Sequence, residues 1–121
     1  MEIRNRIKEL RYIKASELVR NPNNWRKHPD KQSQALQGAL SEIGYADALI
    51  AYQTDEGLTL IDGHLRADTT PDFEVPVLVT DLDQHEADKL LATLDPLSAL
   101  AEPDYKQLET VLQSVTIESQ P

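Results

Sequence analysis

One stretch of the chain, LTLIDGHLRADTTP at residues 58–71, decides the fold. Its first four residues form an apolar, branched run that is typical of a β-strand. Asp62 and Gly63 interrupt that run, and residues 64–70 favour a short helix that ends at Pro71, where the ring prevents further helical hydrogen bonding. The stretch therefore predicts a strand that passes through a glycine turn directly into a helix.

The side chains at residues 62–66, called the 62–66 turn from here on, predict a binding site for an anion or a nucleotide phosphate. Gly63 lets the backbone approach a ligand closely, and the helix start behind it offers unpaired amides and a partial positive charge. Arg66 adds a planar guanidinium that can bind phosphate through two hydrogen bonds. His64 can donate a further hydrogen bond or serve as an acid or base, and Asp62 can hold a ribose hydroxyl, orient His64 or bind Mg²⁺.

The same residues are also open to a structural interpretation. In that interpretation the 62–66 turn is a tight strand-to-helix corner, Arg66 pairs with a nearby acid and Asp62 caps the helix. The residue types alone favour neither interpretation strongly, because a pattern of five residues is short.

A second candidate site is the loop NPNNWRKHP at residues 21–29. Its asparagine and proline residues favour turns, and Trp25 and Arg26 would form a stacking wall beside an anion. The structural alternative is that Trp25 fills the core while the asparagines satisfy the turns.

The rest of the chain predicts a small α+β domain with a mixed β-sheet flanked by helices. A hairpin turn is predicted at residues 54–57, Pro76 predicts that its strand begins at a sheet edge, and Asp83 with Glu86 predicts a helix capping box. The dipeptide Asp95-Pro96 predicts the end of that helix. The predicted strands cover residues 10–14, 48–53, 58–61 and 75–79, and the predicted helices cover residues 30–43, 64–70, 84–94 and 103–115.

The composition predicts a single cytoplasmic domain without a membrane span. A chain of 121 residues is the size of one domain, which we divide into a charged arm at 1–9, the domain proper at 10–100, and a C-terminal helix with a polar tail at 101–121. The absence of cysteine excludes a disulfide scaffold, a thiolate zinc site and a cysteine nucleophile. No stretch approaches the roughly 20 apolar residues of a membrane helix.

The charge distribution argues against strong binding of DNA by this chain alone. The net charge is −9, which repels the DNA backbone at long range. Nine of the twelve lysine and arginine residues nevertheless lie within the first 31 positions. This asymmetry predicts either a solvated arm or a basic edge that meets nucleic acid or a protein partner.

From about residue 10 to residue 100 the sequence resembles the ParB/sulfiredoxin-like domain, also known as the ParB-like nuclease domain. The Asn-Pro loop that leads to Arg26 is similar to the family's first box. The helix at 30–43 and the following strand pair match the family's order of elements, and Asp62-Gly63-His64-Leu65-Arg66 is similar to its Gly-x-x-Arg phosphate box.

The resemblance implies that Gly63, His64 and Arg66 contact the phosphates of a nucleoside triphosphate or diphosphate together with Mg²⁺, with Arg26 as a neighbour. His64 stands where sulfiredoxins need cysteine, so sulfiredoxin activity is not expected. The leading hypothesis is a nucleotide- or phosphate-binding domain in a plasmid, phage or DNA-modification system. The alternatives are an enzyme of the same fold (a metal-dependent nucleotide hydrolase, small-molecule kinase or nuclease) using Asp62 and His64 as catalytic groups, and a protein-interaction module or homodimer without nucleotide.

Overall fold

The computed structural model describes residues 1–24, 30–99 and 104–114, and side chains of 1–24, 31–93 and 104–114. The described residues form one four-stranded mixed sheet with helices on both faces. This confirms the predicted α+β class. The elements are β1 (Ile7–Lys14), a 3₁₀ turn (Ala15–Glu17), α1 (Asp30–Glu42), β2 (Leu49–Thr54), β3 (Gly57–Asp62), α2 (His64–Thr69), β4 (Glu74–Thr80), α3 (Gln84–Ala99) and α4 (Tyr105–Gln113).

The strands lie in the order β1-β4-β2-β3, with β4 antiparallel to β1 and parallel to β2. β2 and β3 form the predicted antiparallel hairpin, in which Thr54 faces Gly57 across the turn. β1 begins at Ile7, three residues before the predicted start, because Ile7 and Glu9 already pair with the end of β4.

The start of β4 is paired on one side only, as Pro76 predicted, although β4 as a whole lies inside the sheet between β1 and β2. Pro76 faces Tyr12 of β1, whereas pairing with β2 begins only at Val77, opposite Leu49. The proline thus precedes the part of the strand that is paired on both sides, where a missing N–H is tolerated.

The sheet buries one apolar cluster on each face, because alternate residues of a strand point to opposite sides. Leu60 and Ile61, adjacent in β3, belong to different clusters. The first cluster joins the sheet to α2 and the 3₁₀ turn, and the second joins it to α3. The first contains Ala15, Leu18, Leu49, Ala51, Leu60, Ala67, Val75 and Val77; the second contains Tyr52, Ile61, Ala87 and Leu91.

Helix α3 starts as predicted but ends later. The amide of Glu86 donates to the Asp83 carboxylate at 2.8 Å, and the amide of Asp83 donates to the Glu86 carboxylate at 3.1 Å, which confirms the capping box. The helix then continues through Pro96 to Ala99, so the predicted end at residues 95–96 was wrong. A proline removes one hydrogen bond and kinks a helix without necessarily ending it.

Helix α4 leaves its predicted apolar face in solvent. Asp104 caps it by accepting a hydrogen bond from the amide of Gln107 at 3.0 Å. Tyr105, Leu108 and Leu112 are all exposed, whereas Val115 lies outside the described residues. Within the described residues, no helix is both long and apolar enough to span a membrane.

Arg6 connects the start of the chain to α3 through ion pairs, and these ion pairs make the stability of the domain depend on pH. Its guanidinium lies 2.6 Å from both the Asp81 and the Glu86 carboxylates. The hydrogen bond from Arg6, followed by that from the Asp83 amide, lowers the pKa of Glu86 from 4.5 to about 2. The unfolded chain therefore binds the proton first, and this contribution to stability is complete above pH 4.5 and is lost as the pH falls toward 2.

We expect Arg6→Gln to flatten the fall of the urea midpoint between pH 4.5 and pH 2. Arg11→Gln is the matched control, because the Arg11 guanidinium faces Glu9 at 3.8 Å on an exposed surface, where an ion pair contributes little. Equal pH slopes for Arg6→Gln and the unmodified protein would contradict the assignment.

Candidate functional site

The 62–66 turn has the predicted strand–glycine–helix geometry. β3 ends at Asp62, α2 begins at His64, and Gly63 between them has a φ of +102°, a conformation that favours glycine. The Gly63 carbonyl accepts a hydrogen bond from the Ala67 amide at 2.9 Å. The structural alternative in which Asp62 caps the helix is wrong, because Gly63 is the capping position and, among the described residues, no side chain donates or accepts a capping hydrogen bond there.

Arg66 is held between two carboxylates at the turn. Its Nη1 lies 3.0 Å from Oδ2 of Asp47, and its Nη2 lies 3.3 Å from Oδ2 of Asp62. Only 17% of the Arg66 side chain is exposed, whereas 81% of the Asp47 side chain is exposed. The structure thus bears out the pairing with a nearby acid, and it leaves one of the two acids largely in solvent.

His64 is buried and connects the 62–66 turn to the start of the loop at residues 21–29, called the asparagine loop from here on. Its Nε2 accepts a hydrogen bond from the backbone amide of Asn21 at 3.2 Å. The segment before Asn21 reaches this position because Val19 pairs with the edge of β3, donating to Leu58 O at 2.8 Å and accepting from the Leu60 amide at 2.9 Å. The two candidate sites of the sequence are therefore adjacent.

The described part of the asparagine loop is internally bonded. The side-chain oxygen of Asn21 accepts from the amide of Asn23 at 2.9 Å, and the carbonyl of Asn21 accepts from the amide of Asn24 at 3.1 Å. Asn23 also donates to the Asp88 carboxylate of α3 at 3.1 Å. Trp25 and Arg26 lie outside the described residues, so their predicted roles stay predictions.

Solved structures that share this fold include two ParB structures. The C-terminally truncated chromosome-partitioning protein ParB from Caulobacter crescentus, complexed with CTP-gamma-S, is 18% identical to this chain with a TM-score of 0.68. That match covers 88% of this chain and 61% of that one. The fold of this chain is ParB-like. A Pnob8-like ParB-N domain is 24% identical with a TM-score of 0.53, and the match covers 72% of this chain and 38% of that one.

Neither a protein-family model nor a curated protein sequence matches this chain. The likeness in fold confirms the resemblance stated from the sequence. The predicted catalytic roles of Asp62 and His64 and the predicted phosphate contacts of Gly63, His64 and Arg66 stay predictions.

Sequence reasoning missed two residues that position Arg66 in this chain. Asp47 supplies its exposed ion-pair partner, and the hydroxyl of Tyr45 donates to the Arg66 carbonyl at 3.3 Å while also bonding the Thr70 hydroxyl. Both residues follow Gly44, where α1 has ended. The sequence signal that could have indicated them is the placement of Tyr45 and Asp47 just before the buried strand β2. They also line a cavity of about 250 Å³ between the end of α1 and Arg66.

The described residues do not fit a Mg²⁺ site made by the protein alone. Among them, no group of three or more carboxylate, histidine or cysteine side chains is arranged to hold a metal. Asp62 already faces the Arg66 guanidinium, which repels a divalent cation. Mg²⁺ is commonly bound by one or two carboxylates plus substrate phosphates, so a role for Asp62 depends on a nucleotide that brings its own oxygens.

Proposed function

We propose that this ParB-like domain binds a nucleotide through its phosphates at the 62–66 turn, within a plasmid, phage or DNA-modification system. The observation that carries the proposal is the Arg66 guanidinium, which the fold holds beside the glycine turn and which an exposed carboxylate covers. The solved ParB of the same fold was complexed with CTP-gamma-S, which makes CTP the first nucleotide to test.

Phosphate binding at Arg66 requires a change of ion-pair partners. The Arg66 guanidinium now faces the two carboxylates of Asp47 and Asp62. Asp47 is the partner that a phosphate would replace, because exposed ion pairs contribute little and are readily broken. The phosphate would then gain a charge-assisted hydrogen bond to the Arg66 guanidinium, which is much less exposed than the Asp47 carboxylate.

We expect Arg66→Ala to weaken binding of the preferred nucleotide by roughly 10- to 100-fold, since hydrogen bonds to charged groups contribute about 1.5–3 kcal/mol. Calorimetric titration with CTP, ATP, ADP and GTP, each with and without Mg²⁺, measures the effect. Arg20→Ala is the matched control. The Arg20 guanidinium lies 2.7 Å from the carboxylate of Asp68, which is in α2 like Arg66, but Arg20 itself lies outside the turn.

Asp47→Asn tests the same proposal in the opposite direction. If phosphate replaces Asp47, removing its charge strengthens nucleotide binding, whereas a purely structural ion pair predicts no gain. An Arg66→Ala variant that binds every nucleotide as the unmodified protein does would overturn the proposal.

Two further variants in the same titration address the remaining predicted contacts. Asp62→Asn is expected to reduce any strengthening by Mg²⁺, and loss of nucleotide turnover in this variant would support the enzymatic alternative. Arg26→Ala is expected to weaken binding if Arg26 neighbours the phosphates, as the resemblance implies.

A further inference from the structure

The outer side of β1 is an open edge of the sheet. β1 and β3 are the two outermost strands, and β1 pairs with β4 on its inner side. Within the described residues, no other strand pairs with the outer side of β1. Such an edge presents a row of backbone donors and acceptors to which a further strand can bind.

The backbone groups of Leu10 and Tyr12 face this open edge. Just after β1, the amide of Ala15 donates to the carbonyl of Phe73 at 2.9 Å, on the side of β4. The pairing with β4 is regular over residues 9–14, and in an antiparallel pair every second residue bonds the partner strand. The N–H and C=O groups of Leu10 and Tyr12 lie between those bonded positions. They therefore point outward, where a new strand can bond them.

The side chains of Leu10 and Tyr12 form an exposed apolar patch on one face of the sheet. Leu10 lies opposite Leu78 and Tyr12 lies opposite Pro76, and residues paired in this way point to the same face. Leu10 is 52% exposed and Tyr12 is 65% exposed, whereas Leu78 and Pro76 are half-buried. A strand added at the edge would place every second side chain beside this patch.

The charge of β1 selects the kind of strand that can pair there. The strand carries three basic residues, Lys8, Arg11 and Lys14, and one acidic residue, Glu9, in a chain whose net charge is −9. Arg11 faces Glu9 at 3.8 Å. Neither lysine forms an ion pair among the described residues, although Lys14 lies opposite Glu74 of β4. The edge thus keeps an excess of positive charge, which complements an acidic strand.

A second copy of this chain is a less suitable occupant of the edge. It would bring the same three basic residues to the pair, and like charges across a strand pair are destabilising. Lysines and bulges on edge strands commonly prevent self-association, and β1 has a bulge between Ile7 and Glu9. The bulge limits the regular edge to residues 9–14 and leaves that part able to accept a strand of opposite charge.

We propose that the edge of β1 at residues 9–14 binds an extended acidic segment of a protein partner as an additional antiparallel strand. Apolar side chains of that segment lie beside Leu10 and Tyr12, and its carboxylates lie near the basic residues of β1. Backbone hydrogen bonds supply the affinity of such strand addition, and the alternating side chains supply its specificity. The proposal does not rest on nucleotide binding, because the 62–66 turn follows β3, at the opposite edge of the sheet.

Hydrogen exchange of the full chain, followed by nuclear magnetic resonance, tests the proposal with the peptide acetyl-Glu-Thr-Val-Glu-Val-Thr-Glu-amide. At about ten times its Kd, this peptide is expected to slow exchange of the Leu10 and Tyr12 amides roughly tenfold. The Arg11 amide already faces β4 and should change little. The same peptide with lysine in place of each glutamate is the control, and it should leave all three amides unchanged.

Two methylated peptides separate strand addition from side-chain contact alone. When the valines lie opposite Leu10 and Tyr12 in an antiparallel pair, the valine amides face β1 and the threonine amides face away. Methyl groups on the valine nitrogens are therefore expected to weaken binding roughly tenfold or more, because they remove the donors. Methyl groups on the threonine nitrogens should change binding by less than about twofold.

A charge-matched pair of variants separates the edge from the overall charge. Lys8→Glu/Lys14→Glu is expected to weaken binding of the acidic peptide roughly tenfold. Lys31→Glu/Lys106→Glu makes the same change of charge at exposed positions on α1 and α4, and it should change binding by less than about twofold.

Four results would overturn the proposal. They are the absence of protection by the acidic peptide, equal binding of the two methylated peptides, and equal losses in the two double variants. The fourth is protection of the Leu10 and Tyr12 amides without peptide. If that protection rises with protein concentration, it identifies a second copy as the occupant, and if it requires a short DNA duplex, it identifies a nucleic-acid surface.

Discussion

Gly63→Ala is expected to destabilise the domain by about 2–5 kcal/mol, a large part of the roughly 5–15 kcal/mol that holds a typical domain folded. A Cβ atom at this position would lie 2.5 Å from Cγ and 3.1 Å from Cβ of Leu49, a fully buried residue of β2. Overpacking of a core costs about 1–3 kcal/mol, and the left-handed φ of +102° adds about 1–2 kcal/mol for any residue with a side chain. Urea unfolding followed by circular dichroism measures the loss.

Gly44→Ala is the matched control for this prediction. Gly44 also has a left-handed φ, +91°, but nothing lies within 4 Å of the position its Cβ would take. It should therefore lose only the conformational part, about 1 kcal/mol. Equal losses at the two glycines would show that contact with Leu49 does not matter.

The control also bears on function, because the resemblance assigns Gly63 to phosphate contact. Close packing against Leu49 is by itself a sufficient reason for glycine at this position. Loss of nucleotide binding by Gly63→Ala therefore assigns Gly63 to phosphate contact only if the variant is shown to be folded under the conditions of the titration.

Features set by neighbouring residues could be predicted from the sequence. The strand–glycine–helix order around Gly63, the hairpin at residues 54–57 and the capping box of Asp83 and Glu86 all depend on side chains within a few positions of each other. Local propensity and local hydrogen bonding decide such features, so the pattern predicts them.

Features set by distant residues could not be predicted in the same way. Pro76 indicated that its strand begins at a sheet edge, but it did not indicate that β1, more than 60 positions earlier, and β2 would flank the rest of β4. The apolar spacing of α4 indicated a core face, but the same spacing occurs on a helix whose apolar side chains stay exposed among the described residues. Periodicity predicts which face is apolar and does not predict what covers it.

The candidate site shows the same division. Arg66 and Asp62 are only four residues apart, on either side of the predicted glycine turn, so their pairing follows from the local strand-to-helix geometry. Asp47 lies just before β2 and reaches Arg66 across the β2–β3 hairpin, in which Ile50 faces Asp62. Asn21 reaches His64 across 43 positions, because Val19 pairs with the edge of β3. Periodicity along the sequence does not contain that long-range pairing.

His64→Ala is expected to destabilise the domain by about 3 kcal/mol, because the substitution removes an acceptor and leaves a cavity. The Asn21 amide that donates to Nε2 is buried, and a buried donor without a partner costs about 1–3 kcal/mol. Loss of most of a ring that is only 5% exposed adds a cavity cost of similar size. Hydrogen exchange at the Asn21 amide should accelerate in the same variant. Exchange of the β4 amides should accelerate only as far as the lower global stability requires.

His85→Ala is the matched control, since His85 is exposed at the start of α3 and its loss should stay within about 0.5 kcal/mol. A loss below about 1 kcal/mol for His64→Ala, with unchanged exchange at Asn21, would contradict the structural role. In that case, loss of nucleotide binding by a stable His64→Ala protein would assign the ring to the ligand. The predicted destabilisation would instead mean that His64 holds the asparagine loop against the 62–66 turn. Arg66 would then be the side chain of the turn that pairs with the charge of the phosphate.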